Sequence, residues 1–188
     1  MTHKYQPELG SRIGMDIPTV KTDRLVLRPF TDHDAEELHR ILAQEGVLRY
    51  FPTPDPPPLD RVQKLVAKQL EHWEEHGFGW WAVELKSDDG IIGWNGLQYL
   101  TETEEVEIAY LLAKTHWGKG LATEGAREGL KYGFEILGLE RIIGLVHPEN
   151  IASQRVLEKL GLTFNNEAEY FGMSVYRYVI DAPLYSSQ

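Results

Sequence analysis

From Thr22 to Phe30 the chain alternates, with Leu25 and Leu27 set against Arg24, Val26 and Arg28, which predicts a half-buried strand ended by Pro29. Thr31 with Asp34 three residues on marks a helix start, and Leu38, Ile41 and Leu42 supply the apolar stripe behind it. Five of the ten prolines crowd into Pro52–Pro58, a run that excludes helix interior and central strand and predicts an exposed loop, with a lid beside a site as the second reading. Helical spacing returns from Leu59 to His76 through Val62, Leu65, Val66, Leu70 and Trp73. Trp80–Lys86 and Ile91–Tyr99 read as strands joined by a turn at Ser87-Asp88-Asp89-Gly90, and Glu105–Leu112 as a third in series.

Gly120–Leu137 is helical by period, with Leu121, Ala122, Ala126, Leu130, Phe134 and Leu137 on one face and Gly125, Gly129 and Gly133 on the same side. Each glycine costs about 1 kcal/mol against alanine in a helix, so this stripe predicts close packing onto a sheet. A strand over Arg141–Val146, a helix over Asn150–Leu160 capped by Gly161, and strands over Leu162–Ala168 and Ser174–Asp181 complete the pattern. The expectation is an α/β (α+β) fold: a mixed sheet of about seven strands with helices on both faces. Residues 1–17 read as a loosely held tail, 18–182 as one domain and 183–188 as a short C-terminal tail.

Composition narrows the chemistry. At 188 residues the chain suits one domain. It has no cysteine, which removes disulfides, thiol nucleophiles and Cys-ligated metals. Nineteen basic against 29 acidic residues give a net charge of −10, a field that repels nucleic acid and anionic membrane and draws amines. No uncharged apolar run approaches the roughly 18 residues of a membrane span, and residues 1–20 lack the apolar core of a signal peptide. The chain reads as soluble and cytoplasmic, with neither nucleic-acid nor membrane partner.

The segment Ala113-Lys114-Thr115-His116-Trp117-Gly118-Lys119-Gly120-Leu121-Ala122-Thr123-Glu124 runs from strand through glycine turn to helix start. That arrangement aims backbone N–H groups and a helix dipole at a phosphate. No stretch matches the Walker loop, and Thr123 stands where a dinucleotide fingerprint needs its third glycine. Together with Val106–Leu112 before it, and Asn150-Ile151-Ala152-Ser153 opening a helix that ends Leu157-Glu158-Lys159-Leu160-Gly161-Leu162, the segment resembles the core of the GNAT superfamily of N-acetyltransferases. Thr22-Asp23-Arg24-Leu25-Val26-Leu27-Arg28 matches as well. The likeness covers roughly residues 20–182 and looks most like the branch of ribosomal-protein N-terminal acetyltransferases. Trp117 holds the place where the superfamily loop usually carries Arg or Gln, which removes one side-chain donor from the cofactor phosphates.

The resemblance implies the GNAT fold, with a mostly antiparallel sheet, and acetyl-CoA as cofactor. It implies that the amides of Gly118, Lys119, Gly120, Leu121, Ala122 and Thr123, beside Trp117, hold the pyrophosphate. The edge Tyr110, Leu111, Leu112, Ala113 would pair with the pantetheine arm, which Asn150 and Ser153 would face. Lys114, Lys119, Arg155 and Lys159 would add local positive charge. The activity implied is direct transfer from acetyl-CoA to a primary amine, since no cysteine exists to carry an acyl group.

Glu107 is the candidate base, with a solvated strand-face carboxylate as the alternative. Ser153 is the candidate donor to the leaving sulfur, with a helix-start residue bonded to its own backbone as the alternative. Tyr110 and Tyr170 are fallback acids, and backbone amides near Tyr110–Leu112 are candidates for holding the oxyanion. His72 and His76, at i and i+4, read as a solvated pair before a metal site, and His147 as a turn residue before a base. Glu102, Glu104, Glu105 and Glu107 read as a solvated acidic face or an attractor of cationic substrate. Trp80, Trp81, Trp94 and Phe171 read as core or as the lining of an acceptor pocket. The acceptor reads as a protein N-terminal amine or as a polyamine, amino acid or aminoglycoside. A non-catalytic acyl-CoA sensor is the alternative of another class, and the oligomeric state is monomer or homodimer.

Overall fold

Five strands make the first half of the sheet: β1 (Val20–Lys21), β2 (Leu25–Arg28), whose burial alternates, β3 (Trp80–Leu85), β4 (Ile91–Leu100) and β5 (Glu105–Leu112). The structure is a computed structural model and describes residues 16–185, so most of the expected N-terminal tail lies outside the described residues. Helical spacing yields α1 (Asp34–Leu42) and α2 (Leu59–His76) between β2 and β3, and α3 (Leu121–Lys131) after β5. Then come β6 (Arg141–Val146), α4 (Ile151–Lys159), β7 (Thr163–Tyr170), β8 (Met173–Asp181) and the short α5 (Ala182–Tyr185). Among the described residues one eight-stranded sheet runs β1-β2-β3-β4-β5-β6-β8-β7, and β5–β6 is its only parallel neighbour pair.

Alternation along β4 and β5 sends side chains into two cores. Ile108 and Leu112 pack with Leu121, Ala126 and Leu130 of α3. Trp94 and Leu111 pack with Leu38 and Ile41 of α1 and Val62 and Val66 of α2. Helices therefore cover both faces, as the pattern predicts. The glycine stripe of α3 does what its periodicity implies. A Cβ at Gly129 would stand 2.6 Å from Ile108 Cδ1, and one at Gly125 would stand 3.1 Å from Asn95 Nδ2.

Three details differ from the pattern. The eighth strand, β1, is two residues long and too short for alternation to register. The start of α1 is held not by a Thr31 cap on the helix but by Asp34, whose carboxylate accepts from the Thr31 amide (2.7 Å) and pairs with Arg28 (2.7 and 2.8 Å). The helix expected to reach Leu137 leaves α geometry after Lys131 and widens into a π turn over Tyr132–Ile136. There the Tyr132 hydroxyl donates to Gly77 O at 3.0 Å, and Gly133 seats so tightly that a Cβ would meet Ile142 Cδ1 at 2.6 Å. The wider turn accommodates both anchors in a helix that would otherwise rotate one of them away.

Gly93 marks where β3, β4 and β5 are locked together. Its φ is +148°, a bulge shifts the β3–β4 register beside it, and a Cβ would stand 2.0 Å from the backbone oxygen of Leu111. No rotamer change relieves a backbone clash. Gly93→Ala is therefore expected to destabilise the chain by about 2 kcal/mol or more, read as a lowered urea midpoint at unchanged slope.

Candidate active site

The parallel neighbours β5 and β6 share one bridge, Glu107 to Ile143. Beyond it they diverge, because β6 turns to follow β8 from Arg141 to Val146 while β5 stays on β4 through Leu112. The far edge of β5 from Ala109 onward is left without a strand partner. A cavity of about 300 Å³ opens in this wedge, lined by Glu107, Tyr110, Leu145, His147, Asn150 and Ser153 among others.

Alternation places Glu107 and Tyr110 on opposite faces of the sheet at this opening. Glu107 shares its face with Ala109 and Leu111, toward the α1–α2 side, where Trp80, Trp94 and Gln98 line the same cavity. Its residue is only 8% exposed, which replaces the solvated strand face of the alternative reading with a buried carboxyl. Burial pushes its pKa up to about 8, opposed only by a hydrogen bond from the Leu145 backbone. Tyr110 shares its face with Ile108, toward α3 and α4. Its hydroxyl stands 2.9 Å from Ser153 Oγ and 3.2 Å from Ser153 O. Burial raises the Tyr110 pKa, with the Ser153 hydrogen bond opposing and Glu107 adding to the rise, so this phenol stays protonated. Asn150 caps α4 by accepting the Ser153 amide at 3.2 Å, so Ser153 Oγ is free of cap duty and goes to Tyr110 instead.

The loop after β5 makes a single 3₁₀ turn at Lys114–His116 and reaches α3 through Gly118 (φ +72°) and Gly120 (φ +78°). The first intrahelical bond is Glu124 N–H to Gly120 O at 3.0 Å, and Gly120 offers no side-chain cap. The amides of Leu121, Ala122 and Thr123 therefore have no partner within the helix. A Cβ at Gly118 would meet nothing within 4 Å, so the backbone there faces open space. This cradle fits a pyrophosphate. A second cavity of about 340 Å³ lies beside it, lined by Asp23, Arg24, Leu85, Lys86, Ser87, Lys119 and Leu121, which sets three cations against one carboxylate. In a chain of net charge −10, that local cluster is what an anionic ligand would meet.

Two features of the loop had no sequence signal of their own. Glu124, in the first turn of α3, accepts from Thr22 Oγ1 (2.6 Å), the Arg24 amide (2.9 Å) and Arg24 Nε (2.7 Å), while Arg24 Nη1 donates to Lys119 O at 2.9 Å. Burial pushes the Glu124 carboxyl up, but the bonds from Thr22 and Arg24 outweigh it and hold the group below its ordinary range. Thr22-Asp23-Arg24 and Glu124 are both present in the motif, yet nothing in their spacing says that they touch. Trp117 donates its indole N–H to Leu112 O at 2.7 Å, so the residue that stands in for Arg or Gln pins the loop to the end of β5.

Other candidates are sorted by the same geometry. Lys114 turns away from the loop and donates to Glu45 O at 3.2 Å. Tyr170 is bound to Glu105, which also pairs with Arg177, and it does not line the cavity. The acidic run is thereby split, with Glu107 at the cavity and Glu105 held by Arg177 and Tyr170. Trp81 is fully buried in the α3-side core, away from the Trp80–Trp94 wall. His72 bridges Phe78 O (2.7 Å) and the Tyr99 amide (3.1 Å), a structural role, and no metal-ligating cluster occurs among the described residues. His147 stacks on Tyr50 with ring centroids 5.2 Å apart and lines the cavity.

Comparison with known proteins agrees with this architecture. Residues 24–163 match the family model described as an acetyltransferase (GNAT) domain. The uncharacterized N-acetyltransferase YoaA of Bacillus subtilis is 32% identical over 145 residues, covering 77% of this chain and 82% of that protein. A spermidine N(1)-acetyltransferase of Escherichia coli K12 is 27% identical, covering 86% of each chain. A ribosomal-protein-S5-alanine acetyltransferase from Vibrio fischeri superposes with a TM-score of 0.74 over 88% of this chain and 97% of its own, at 16% identity, a likeness of fold alone. The chain belongs to the GNAT family and is an acetyl-CoA-dependent acetyltransferase. No helix among the described residues is long and apolar enough to cross a membrane.

Two outcomes follow from the braces and the buried carboxyl. Arg24→Ala removes the Glu124 and Lys119 links and one local cation, and is expected to raise the acetyl-CoA Kd about tenfold by calorimetry. Its urea midpoint should move little, because an exposed ion pair contributes under about 1 kcal/mol. For Glu107 the folded pKa lies above the ordinary value of 4.5. The native state therefore holds the proton more tightly and loses stability as pH rises from about 4.5 to about 8. Glu107→Gln should then be more stable than the parent at pH 8, on the order of 2–4 kcal/mol, with the gap closing toward pH 4.5.

Proposed function

We propose that this enzyme moves an acetyl group from acetyl-CoA directly to the primary amine of a small molecule, with Glu107 as the base. The observation that carries the reading is the placement of Glu107 and the Tyr110–Ser153 hydroxyl pair on opposite faces of one wedge. Bound acetyl-CoA supplies the acetyl group as a thioester, whose thiol has an ordinary pKa of roughly 8.5 and so leaves readily.

Each remaining task falls to a residue of the chain. The amides of Gly118 through Thr123 hold the pyrophosphate, with Trp117 pinning the loop that presents them. The free edge Tyr110–Ala113 accepts the pantetheine arm as an added strand would be accepted. On the α1–α2 face, Glu107 takes the proton of the incoming ammonium, for which a pKa of about 8 is suited near neutral pH. On the α3–α4 face, Tyr110 keeps its proton, and with its hydroxyl donating to Ser153 Oγ in place of Ser153 O the Ser153 hydroxyl hydrogen is released to serve as donor to the departing sulfur. Asn150 holds Ser153 in place through its amide.

For the acceptor, the sequence leaves a protein N-terminus and a small amine open, and three observations favour the small amine. The cavity of about 300 Å³ is at the low end for small-molecule sites. Phe51 and Phe171, 38% and 55% exposed, give it an apolar lining at the surface. A relative named for spermidine is similar along 86% of both chains, whereas the ribosomal-protein enzyme shares the fold at 16% identity.

Free-thiol release over an amine panel tests the reading, with calorimetric acetyl-CoA binding and a Gly120→Trp control for the loop. Parent protein should bind and turn over, and the control should not bind. kcat should rise about tenfold per pH unit below pH 8 and level above it. Glu107→Gln should lose that limb and at least roughly 10²-fold of kcat. A retained pH limb in Glu107→Gln would remove Glu107 as base, and unchanged turnover in Ser153→Ala would remove the sulfur donor.

A further inference from the structure

The β7–β8 hairpin is tied to a strand that is not its neighbour. By strand order β7 stands three places from β5, yet the Tyr170 hydroxyl donates to Glu105 Oε2 of β5 at 2.5 Å. Arg177 of β8 reaches the same carboxylate through Nε at 3.2 Å and through Nη2, and its Nη1 donates to Asn165 Oδ1 at 2.7 Å. Asn165 sits where the β7–β8 register shifts, and such a bulge bends the strand that carries it. Glu105 and Glu107, two apart on β5, share a face of the sheet. The anchored end of the hairpin therefore comes to the cavity, where Phe171, Met173 and Val175 join the lining.

The tip of this hairpin is strained. Strand pairing runs to Tyr170 and Met173, which leaves Phe171 (φ +54°) and Gly172 (φ +74°) as a two-residue turn. Such a turn suits asparagine followed by glycine, and a phenylalanine in left-handed backbone is disfavoured. Packing offsets little of that cost, because Phe171 is 55% exposed. Strain kept at the edge of a site points to a use for the side chain. Phe51, from the loop after α1, is exposed beside the same cavity and gives it a second phenyl ring.

Charge decides what the two phenyl rings receive. Glu107 is the sole carboxylate among the described residues that line the cavity. Glu105, the next acid on that face, is taken up by Arg177 and Tyr170. A diamine would bring a second ammonium with no second anion to meet it. Aromatic faces attract cations, but solvent weakens that attraction at an exposed mouth, and burying an apolar chain against two rings outweighs it.

Resting on the acetyl-transfer reading above, we propose that the strained tip of the β7–β8 hairpin sets acceptor specificity, with Phe171 selecting a small monoamine that has an apolar body. The single amine reaches Glu107 while the body packs against Phe171 and Phe51. Tyr170 and Glu105 are positioning residues: they hold the hairpin, and the hairpin holds Phe171 at the mouth. The acetyl step keeps its balance. The amine nitrogen forms the amide bond and the carbon–sulfur bond breaks, while one ammonium proton goes to Glu107 and the second leaves with the thiol.

The test measures kcat and KM for ethylamine, hexylamine, 1,5-diaminopentane, spermidine and a tripeptide beginning with alanine. Hexylamine and 1,5-diaminopentane match in length and differ in ending on a methyl or an ammonium. Hexylamine should exceed ethylamine in kcat/KM by about tenfold, and exceed the diamine, spermidine and the tripeptide by about a hundredfold. Phe171→Asn suits the turn and removes the ring. It should raise the urea midpoint, bring the hexylamine-to-ethylamine ratio close to one through KM, and keep the acetyl-CoA Kd of the parent. Tyr170→Phe keeps a ring and deletes the bond to Glu105, and it should raise KM for hexylamine severalfold at unchanged kcat. Preference for the diamine, spermidine or the tripeptide overturns the proposal and leaves acetyl transfer standing. So does a Phe171→Asn variant with a lowered urea midpoint and all amines reduced by one common factor. Acetyl-CoA binding with no amine acetylated at all overturns the small-amine reading and this proposal together.

Discussion

One bridge between parallel strands governs the site. At Glu107 and Ile143 the two halves of the sheet touch, and beyond that point they part. Had β5 and β6 stayed paired, the edge of β5 would be filled and the helix-capped end of α4 would have no opening to face. Because they part, the backbone of β5 beyond Glu107 has no strand to pair with and faces the open cavity, where an extended ligand can be accepted as a strand would be. Period-two alternation then does the remaining work. It sends Glu107 one way and Tyr110 the other from positions three residues apart, so a proton acceptor and a proton donor flank one gap without meeting.

The same economy explains how an acidic chain can hold an anion. Net charge acts at long range and is screened within about 10 Å at ordinary salt. Uncapped amides at the start of α3 act at contact distance. Their aim depends on the loop, and the loop depends on links that are remote in sequence: Arg24 to Lys119 O, Glu124 to Thr22 and Arg24, and Trp117 to Leu112 O. The acid at Glu124 is consumed by those links, so its charge is not left facing the cradle.

Elements with strong local signals were legible: the two-residue alternation of β2, the strand runs and turn of β3 to β5, the spacing of α2, the glycine stripe of α3, and the glycine turn before it. The residues expected at the wedge, Glu107, Tyr110, Asn150 and Ser153, do line one cavity. What remained hidden depends on register and not on composition. Nothing local distinguishes Trp81, fully buried against α3, from its neighbour Trp80, which lines the cavity; parity within β3 decides it. Tyr110 and Tyr170 look alike as fallback acids, yet one meets Ser153 forty-three positions away and the other is held by Glu105. The π turn at Tyr132–Ile136 answers to Gly77, the residue that ends α2, and no window along the chain contains both.

Burial of Glu107 joins stability to chemistry. A carboxyl on a solvated strand would titrate near 4.5 and, ionised throughout the neutral range, would be a weak acceptor of an ammonium proton. Withdrawn beneath the sheet with one backbone hydrogen bond, it titrates near 8, close to the proton it must take. The desolvation that lifts its pKa also weakens the fold above pH 4.5, and the chain carries that weakness at the one place where β5 and β6 are bridged. No counter-cation lines the cavity to relieve it among the described residues: the lining holds no Lys or Arg. A lysine or arginine there would strengthen the fold and would return the carboxyl to its ordinary range, where it no longer suits the step. Stability and basicity therefore pull on the same side chain in opposite directions, and the unrelieved carboxyl at Glu107 is the arrangement expected where basicity is what the site requires.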